Sequence, residues 1–233
     1  INERASGEQG YSTDLIAGAA SRFIAQHAKG AAPYFCYVPF NAPHSPFQAP
    51  EKYLKKFAHL AKAQAGGKNR NLRQKVAAMV SCMDDGIGRI LRAIDDSSEA
   101  VDTLVWFFSD NGGVSAIADN NLPLRGNKLD VWEGGVRVPL IVRWPSKIKA
   151  GSTSGFVTGF EDWMPTLLDL IGEKTSAPAG IDGISIANTL LGKKQRPRKF
   201  LYREFSGYGG QQAVWAGRWK AVRQNILRKN NKT

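Results

Sequence analysis

The stretch Trp106–Gly113 reads WFFSDNGG, and it decides how the rest of the chain is interpreted. The run Thr103–Phe108 before it is apolar on successive residues, which is typical of a strand covered on both faces. It ends abruptly in Asp110, Asn111 and two glycines. In open α/β sheets, ligands gather beyond the carboxyl ends of the strands. This ending therefore predicts a strand that delivers polar side chains to a site.

Other segments of the chain alternate between strand-like and helix-like patterns. Tyr34–Phe40 and Val138–Trp144 are also apolar on successive residues and are predicted strands. Apolar residues recur at helical spacing elsewhere, which predicts helices over 12–30, 51–57, 76–94, 162–172 and 185–192. Ser12 or Thr13 is the predicted cap of the first helix. The order predicts an α/β fold, with a largely parallel sheet and helices on both faces.

At about Arg196 the sequence pattern changes from helix-like spacing to short strand-like segments. The segments KFLYREF (Lys199–Phe205) and QAVWAGRWKAVRQ (Gln212–Gln224) read as short strands, the second forming a hairpin that turns near Gly217. The predicted division is therefore an α/β domain over 1–195 and, over 196–233, the beginning of a small antiparallel β subdomain that ends before it is complete.

Composition limits the classes of function. A chain of 233 residues with 42% hydrophobic content is long enough to bury a core. No window approaches about eighteen consecutive apolar residues, and the polar start lacks the pattern of a signal peptide, so no membrane span or leader is predicted. The first residue is Ile1, which favours a processed chain or a fragment.

Charge and cysteine content are weaker guides. The net charge of +12 is compatible with nucleic-acid binding, but the Lys and Arg residues are scattered through predicted loops and the tail. A solvated surface is favoured, and no nucleic-acid partner is expected. Cys36 and Cys82 lie in apolar contexts, where core thiols are favoured over a disulfide.

Asp110 and Asn111 are the candidate metal ligands. Both carry side-chain oxygen, which suits a hard cation such as Ca²⁺ or Mg²⁺ better than a softer metal. Asp-Asn-Gly is also a common turn sequence, so a plain turn remains an equal alternative. Calcium prefers about six to eight oxygens, so further ligands must come from elsewhere.

Two more candidates lie in loops. His44, between Pro43 and Pro46, could act as a general acid near neutral pH, or be an ordinary surface histidine. Lys128 lies in the long segment 123–139, and a loop of that length in a compact domain is usually functional. Lys128 or Arg125 could bind the oxygens of an anion, and a plain surface lysine is the alternative. Glu133 and Arg137 are expected to pair within the loop.

Taken together, these motifs resemble the sulfatase family, the arylsulfatase-like branch of the alkaline-phosphatase-like superfamily. The resemblance covers almost the whole chain, and its motifs are YSTDLIAGAASRFI (11–24), YVPFNAPHSPFQAPEKYLKKF (37–57), MVSCMDDGIGRIL (79–91), DTLVWFFSDNGG (102–113), PLRGNKLDVWEGGVRVPLIVRWPS (123–146), DWMPTLLDLIG (162–172) and IDGISI (181–186). It implies an alkaline-phosphatase-like fold.

The resemblance also implies roles for the candidate residues. Asp110 and Asn111 would bind a divalent cation, usually calcium, with magnesium possible. His44 would contact the sulfate and donate a proton to the leaving alcohol, and Lys128 would bind sulfate oxygens. Residues 125–130 read RGNKLD where the family more often has RGGKGT, so the lysine is retained in an altered loop.

The implied activity is hydrolysis of a sulfate ester, of a carbohydrate or a sulfated small molecule, by a sulfuric ester hydrolase. Sulfatases use a formylglycine made from a Cys/Ser-x-Pro-x-Arg motif, which this sequence does not contain. The chain is therefore expected to be the C-terminal portion of a sulfatase, inactive by itself, with its nucleophile upstream. The family resemblance implies a periplasmic or secreted location.

Two alternatives stay open. One is a phosphodiesterase or phosphonate monoester hydrolase of the same superfamily. The other is a basic binding module without catalysis, which holds sulfated polymers electrostatically and releases them as ionic strength rises.

Overall fold

The computed structural model describes residues 7–30, 32–61, 71–117 and 120–227. They form two compact units, residues 1–103 and 104–233. The Gly-Gly-Lys-Asn break predicted at 66–69 lies outside the described residues. The predicted domain division at 195/196 falls within the second unit and stays a prediction.

The first unit is helical. Its helices are α1 (Ser12–His27), α2 (Glu51–Lys56), α3 (Ala58–Ala61) and α4 (Leu72–Asp95). Helices α1 and α4 approach closely where Ala17 meets Gly86, since a Cβ built on Gly86 would lie 3.1 Å from the Ala17 methyl. Small residues at the crossing therefore let the two backbones pack together. No described helix has the length and apolar character that a membrane crossing requires.

The start of α1 differs from the prediction. The residue at the N-cap is Tyr11, and no side chain caps the helix there. Thr13 lies inside the first turn and is buried. The predicted caps Ser12 and Thr13 were therefore wrong, because both residues belong to the helix itself.

Two buried side chains that can ionise, Tyr53 and Cys82, lie in the core between α2 and α4. The Tyr53 hydroxyl donates a hydrogen bond of 2.7 Å to Asp85, and burial together with this bond raises the pKa of the phenol. Cys82 is fully buried, and burial raises the pKa of its thiol. Both Cys82 and Cys36 are free. The Asp85 carboxylate therefore anchors α2 to α4.

The predicted strand Tyr34–Phe40 does not form. The segment is not part of any ladder in the described residues, and its side chains alternate between half-buried and exposed. Phe35 and Tyr37 are 69% and 65% exposed, so coverage on both faces was also wrong. An apolar run indicates burial, whereas a strand additionally needs a hydrogen-bonding neighbour.

The second unit begins with a strand pair. Strand β1 (Val105–Phe108) pairs antiparallel with β2 (Leu140–Arg143), with Phe108 opposite Leu140. Every strand pair in the described part of the chain is antiparallel, so the largely parallel sheet is not confirmed. In the described residues of the connection, 109–117 and 120–139, the short helix α5 (Glu133–Val136) is the only helix, and the long crossover helix of a parallel pair is not seen there.

Short helices follow β2. They are a 3₁₀ turn (Phe160–Asp162), α6 (Trp163–Leu170), a second 3₁₀ turn (Lys174–Ser176) and α7 (Ala187–Leu190). The glycines predicted to end α6 and α7 both adopt positive φ, +85° at Gly172 and +68° at Gly192. This left-handed conformation suits glycine and terminates each helix.

Asp162 connects several of these elements. Its buried carboxylate accepts hydrogen bonds from Thr158 Oγ1 at 2.8 Å, from the Gly159 amide at 2.9 Å and from the Ile184 amide at 2.9 Å. It also pairs with Arg198. One carboxylate thus joins the start of α6 to the segments that lead into α7 and into the final sheet.

The final sheet matches its prediction. Strands β3 (Leu201–Phe205), β4 (Gln211–Ala216) and β5 (Trp219–Gln224) form an antiparallel sheet in the order β3-β4-β5. The β4–β5 hairpin turns at Gly217, which adopts φ +56°. The predicted hairpin is therefore confirmed.

Candidate active site in the second unit

Two backbone hydrogen bonds join the segment after β1 to the long loop 123–139. The Gly112 amide donates to the Gly135 carbonyl at 2.9 Å, and the Lys128 amide donates to the Gly113 carbonyl at 2.9 Å. The polar pair that follows β1 and the lysine of the loop are thus held on adjacent backbone segments. The structure brings together three of the four predicted site residues, Asp110, Asn111 and Lys128.

Asn121 reinforces this junction. Its Oδ1 accepts from the Gly113 amide at 2.9 Å, and its Nδ2 lies 3.0 Å from the Gly113 carbonyl. The same Nδ2 is 3.3 Å from the Gly126 carbonyl and 3.0 Å from Asn127 Oδ1. Sequence reasoning missed Asn121, because an asparagine in the polar stretch Asp119–Asn121 carries no signal of its own.

The glycines of the junction are needed for close approach. A Cβ on Gly112 would lie 1.8 Å from the Gly134 carbonyl oxygen, and one on Gly134 would lie 2.1 Å from that of Gly126. Neither Gly112 nor Gly113 adopts a positive φ. The absence of side chains lets the two segments touch backbone to backbone.

The side chains of Asp110 and Asn111 both carry oxygen, the donor atom that a hard cation prefers. Asp110 is exposed, and Asn111 uses its Nδ2 to donate to the Gly112 carbonyl at 3.0 Å. Its oxygen Oδ1 is thus the atom that could meet a cation. Among the described residues no group of three or more His, Cys, Asp or Glu converges as a metal centre. The pair could therefore supply part of a calcium site.

The backbone beside Lys128 is unusual. Leu129 adopts φ +78° although its side chain is branched. A non-glycine residue in this region costs about 1–3 kcal/mol, so the surrounding structure must hold it there. The Leu129 side chain is 43% exposed, so burial of its side chain offsets little of that cost.

Arg125, the other candidate cation of the loop, has an aromatic partner. Its guanidinium carbon lies 3.9 Å from the ring centroid of Trp132, a cation–π contact. This contact holds the Arg125 guanidinium against another residue of the same loop. Lys128 remains the cation predicted to bind the anion.

Glu133 pairs outside the loop. The sequence suggests an ion pair with Arg137, but Glu133 Oε1 accepts from Lys220 Nζ at 2.8 Å and from Trp215 Nε1 at 3.1 Å. Lys220 also donates to the Val131 carbonyl at 2.6 Å. The expected pairing within the loop was wrong, because the final sheet lies against the loop and supplies the cation.

His44 belongs to the first unit. Its Nδ1 lies 2.9 Å from the Ser45 carbonyl oxygen, and its amide donates to the Asn41 carbonyl at 2.8 Å. The same Nδ1 lies 3.3 Å from Ser45 Oγ, so both of its polar neighbours belong to Ser45. The nitrogen left for exchange with a substrate is Nε2, on an exposed side chain.

Family models match nearly the whole chain. The sulfatase model matches residues 2–173, and the model for the C-terminal region of N-sulphoglucosamine sulphohydrolase matches residues 127–226. The chain belongs to the sulfatase family. The resemblance in its sequence motifs is thereby confirmed.

Individual sulfatases are similar over most of the chain. A sulfatase of Formosa agariphila is 34% identical over 209 residues, covering 84% of this chain and 37% of the relative. The N-acetylgalactosamine-6-sulfatase of Mus musculus is 32% identical over 216 residues, covering 90% of this chain and 38% of the relative. The chain thus spans well under half the length of these two sulfatases.

A solved structure shares the fold of this chain. The crystal structure of Ps i-CgsB in complex with k-i-k-neocarrahexaose superposes with a TM-score of 0.85 at 28% identity. The match covers 96% of this chain and 48% of the other. The arrangement of helices and small antiparallel sheets described above is therefore shared with that solved structure.

Proposed function

We propose that this chain is part of a sulfuric ester hydrolase that cleaves sulfate esters of carbohydrates. The observation that carries the proposal is the junction in which the Lys128 amide bonds to the Gly113 carbonyl at 2.9 Å. This junction supports the proposal because it holds Lys128, the predicted anion-binding cation, on a segment bonded to the one that follows the predicted ligands Asp110 and Asn111, in a chain of the sulfatase family. A carbohydrate substrate is supported by a relative named for N-acetylgalactosamine-6-sulfate hydrolysis and by another bound to neocarrahexaose.

Each residue has its own role in hydrolysis, in which water and R–O–SO₃⁻ give the alcohol ROH, SO₄²⁻ and a proton. The Lys128 ammonium binds sulfate oxygens and offsets the charge that grows on them. His44 Nε2 donates a proton to the departing alcohol oxygen. Asp110 and Asn111 Oδ1 would hold Ca²⁺, or Mg²⁺, which when bound polarises sulfate oxygens. The formylglycine nucleophile would come from residues outside these 233.

The alternatives gain no support from the relatives described above. The two relatives described by name are sulfatases, and none of the three proteins is named a phosphodiesterase, a phosphonate hydrolase or a binding module. Sulfate-ester hydrolysis is therefore the function to test first.

Replacing Lys128 with alanine in the complete polypeptide is expected to lower kcat/KM by about 10²–10³, because a positioned charge at the sulfate is lost. Sulfate released from a sulfated oligosaccharide, measured by ion chromatography in calcium buffer, reports the rate. Lys149→Ala, at an exposed lysine of the same unit, is the matched control and should retain full activity. A Lys128→Ala enzyme as fast as the control would remove Lys128 from the mechanism.

The 233-residue chain alone is expected to release no sulfate above the buffer blank, because it lacks the formylglycine motif. The same chromatographic assay measures this directly. Turnover by the isolated chain would show that the nucleophile lies within these residues.

A further inference from the structure

Gln211 is a buried polar residue with a defined set of partners. It is 1% exposed and begins strand β4 of the final sheet. Its Nε2 donates to the Leu129 carbonyl at 2.9 Å, and its Oε1 accepts from the Val131 amide at 3.4 Å. Oε1 also accepts from Gln224 Nε2 at 3.1 Å, across the β4–β5 ladder. One amide therefore bridges the backbone on both sides of Asp130.

These bonds act where the backbone is strained. Leu129, whose carbonyl Gln211 binds, is the residue with φ +78°. The turn is closed from within by Asp130, whose carboxylate accepts the Asn127 amide at 3.0 Å. Such a conformation persists only where neighbouring groups over-determine it. Gln211 supplies a restraint from outside the loop that acts on the Leu129 carbonyl itself.

Lys128 immediately precedes the restrained residue. Its amide is fixed to the Gly113 carbonyl at 2.9 Å, and its own carbonyl leads into the peptide of Leu129. A lysine side chain has a long flexible stem, so the direction in which it starts is set by the backbone. With the backbone fixed on both sides of Lys128, the ammonium samples a smaller volume before the anion arrives.

We propose that Gln211 is a positioning residue for Lys128: it holds the left-handed turn at Leu129 so that the lysine is preset for the sulfate group. The inference rests on the proposed function, since it takes Lys128 as the sulfate-binding cation. Ordering a group before binding lowers the entropy that binding must remove. Gln211 thus contributes to affinity for the anion without touching it.

The first test is sulfate affinity. Gln211→Met keeps the length of the side chain and removes its bonds to the loop, and it is expected to weaken binding of inorganic sulfate about tenfold. Isothermal titration of the complete polypeptide measures this. Gln212→Met, the next residue of the same strand, is the matched control: its Nε2 lies 3.3 Å from Glu204 and leaves the loop untouched. Equal sulfate affinities in the two variants would overturn the proposal.

The second test separates positioning from general support of the sheet. In a Leu129→Gly background the left-handed turn carries no side-chain strain, so Gln211→Met should cost clearly less, about threefold or under. A purely structural Gln211 would give the same loss in both backgrounds. Additive effects in this double-mutant cycle would therefore contradict the assignment.

Hydrogen exchange provides a readout that does not depend on activity. In Gln211→Met the Lys128 amide is expected to exchange about tenfold faster, while the β4 amide of Ala213 stays protected. Faster Lys128 exchange in an enzyme that releases no sulfate would sink the proposed function and leave the positioning role standing. Unchanged exchange in an active enzyme would do the reverse.

A milder variant covers the case in which Gln211→Met fails to fold. Gln211→Asn retains the amide but shortens its reach by one methylene, so the bond to Leu129 is lost with less disturbance of the core. It is expected to weaken sulfate binding about threefold. Full affinity in this folded variant would also refute the role of Gln211.

Discussion

Replacing Asp162 with alanine is expected to destabilise the second unit by about 3–5 kcal/mol, among the largest effects of any single substitution in it. The carboxylate is 1% exposed, and its loss leaves Arg198 buried without its counter-ion. It also leaves the Ile184 amide without its acceptor. An uncompensated buried charge and an unsatisfied amide each raise the free energy of the folded state.

Equilibrium urea unfolding of wild type and variant measures this loss. Asp182→Ala removes an exposed carboxylate from the same unit and should change the free energy of unfolding by about 0.5 kcal/mol or less. If the two variants unfolded at the same urea concentration, the contacts of Asp162 would not stabilise the packing of α6, α7 and the final sheet.

Gly112→Ala is expected to open the junction of the site. The added methyl would lie 1.8 Å from the Gly134 carbonyl oxygen, so the segment after β1 must move away from the loop. Overpacking of this kind costs about 3 kcal/mol, and the shift also breaks the bond from the Gly112 amide to Gly135. We expect the melting temperature to fall by about 6–12 °C, with loss of sulfate binding at Lys128.

Differential scanning calorimetry and sulfate titration together check this expectation. Gly155→Ala is the matched control, since nothing lies within 4 Å of a Cβ at Gly155 and its φ is not positive. That variant should melt within about 2 °C of wild type. A Gly112→Ala protein that melted with the control would mean that the two segments are not in backbone contact.

The sequence predicts the elements of this fold better than their pairing. The helical spacing over 76–94 and the glycine at 217 are local signals, and both yield the expected structure in α4 and the β4–β5 hairpin. The apolar runs Thr103–Phe108 and Tyr34–Phe40 look alike, yet only the first contains a strand. An apolar run is a local property of the sequence, whereas a ladder and the burial of the run both depend on neighbours that lie far away along the chain.

The site was predictable to a similar extent. Asp110, Asn111 and Lys128 could be picked because they follow a strand or lie in a long loop, and the structure joins their segments. Gln211 could not be picked in this way, because a single glutamine has no signature and its partner Leu129 lies 82 residues earlier. The roles of these residues in catalysis, and of His44 in the first unit, remain predictions that the experiments above address.

Because Phe108 pairs with Leu140, the segment 109–139 that carries the site could be moved to another protein as one unit. Residues 109–139 follow β1 and lead directly into its neighbour β2, so the two ends of this segment lie side by side in the sheet. This segment, here called the cassette, could be grafted between the strands of another antiparallel pair without shifting that pair's register. The graft would have to carry the β4–β5 hairpin with it, because Gln211 and Lys220 hold the cassette from a distant part of the chain.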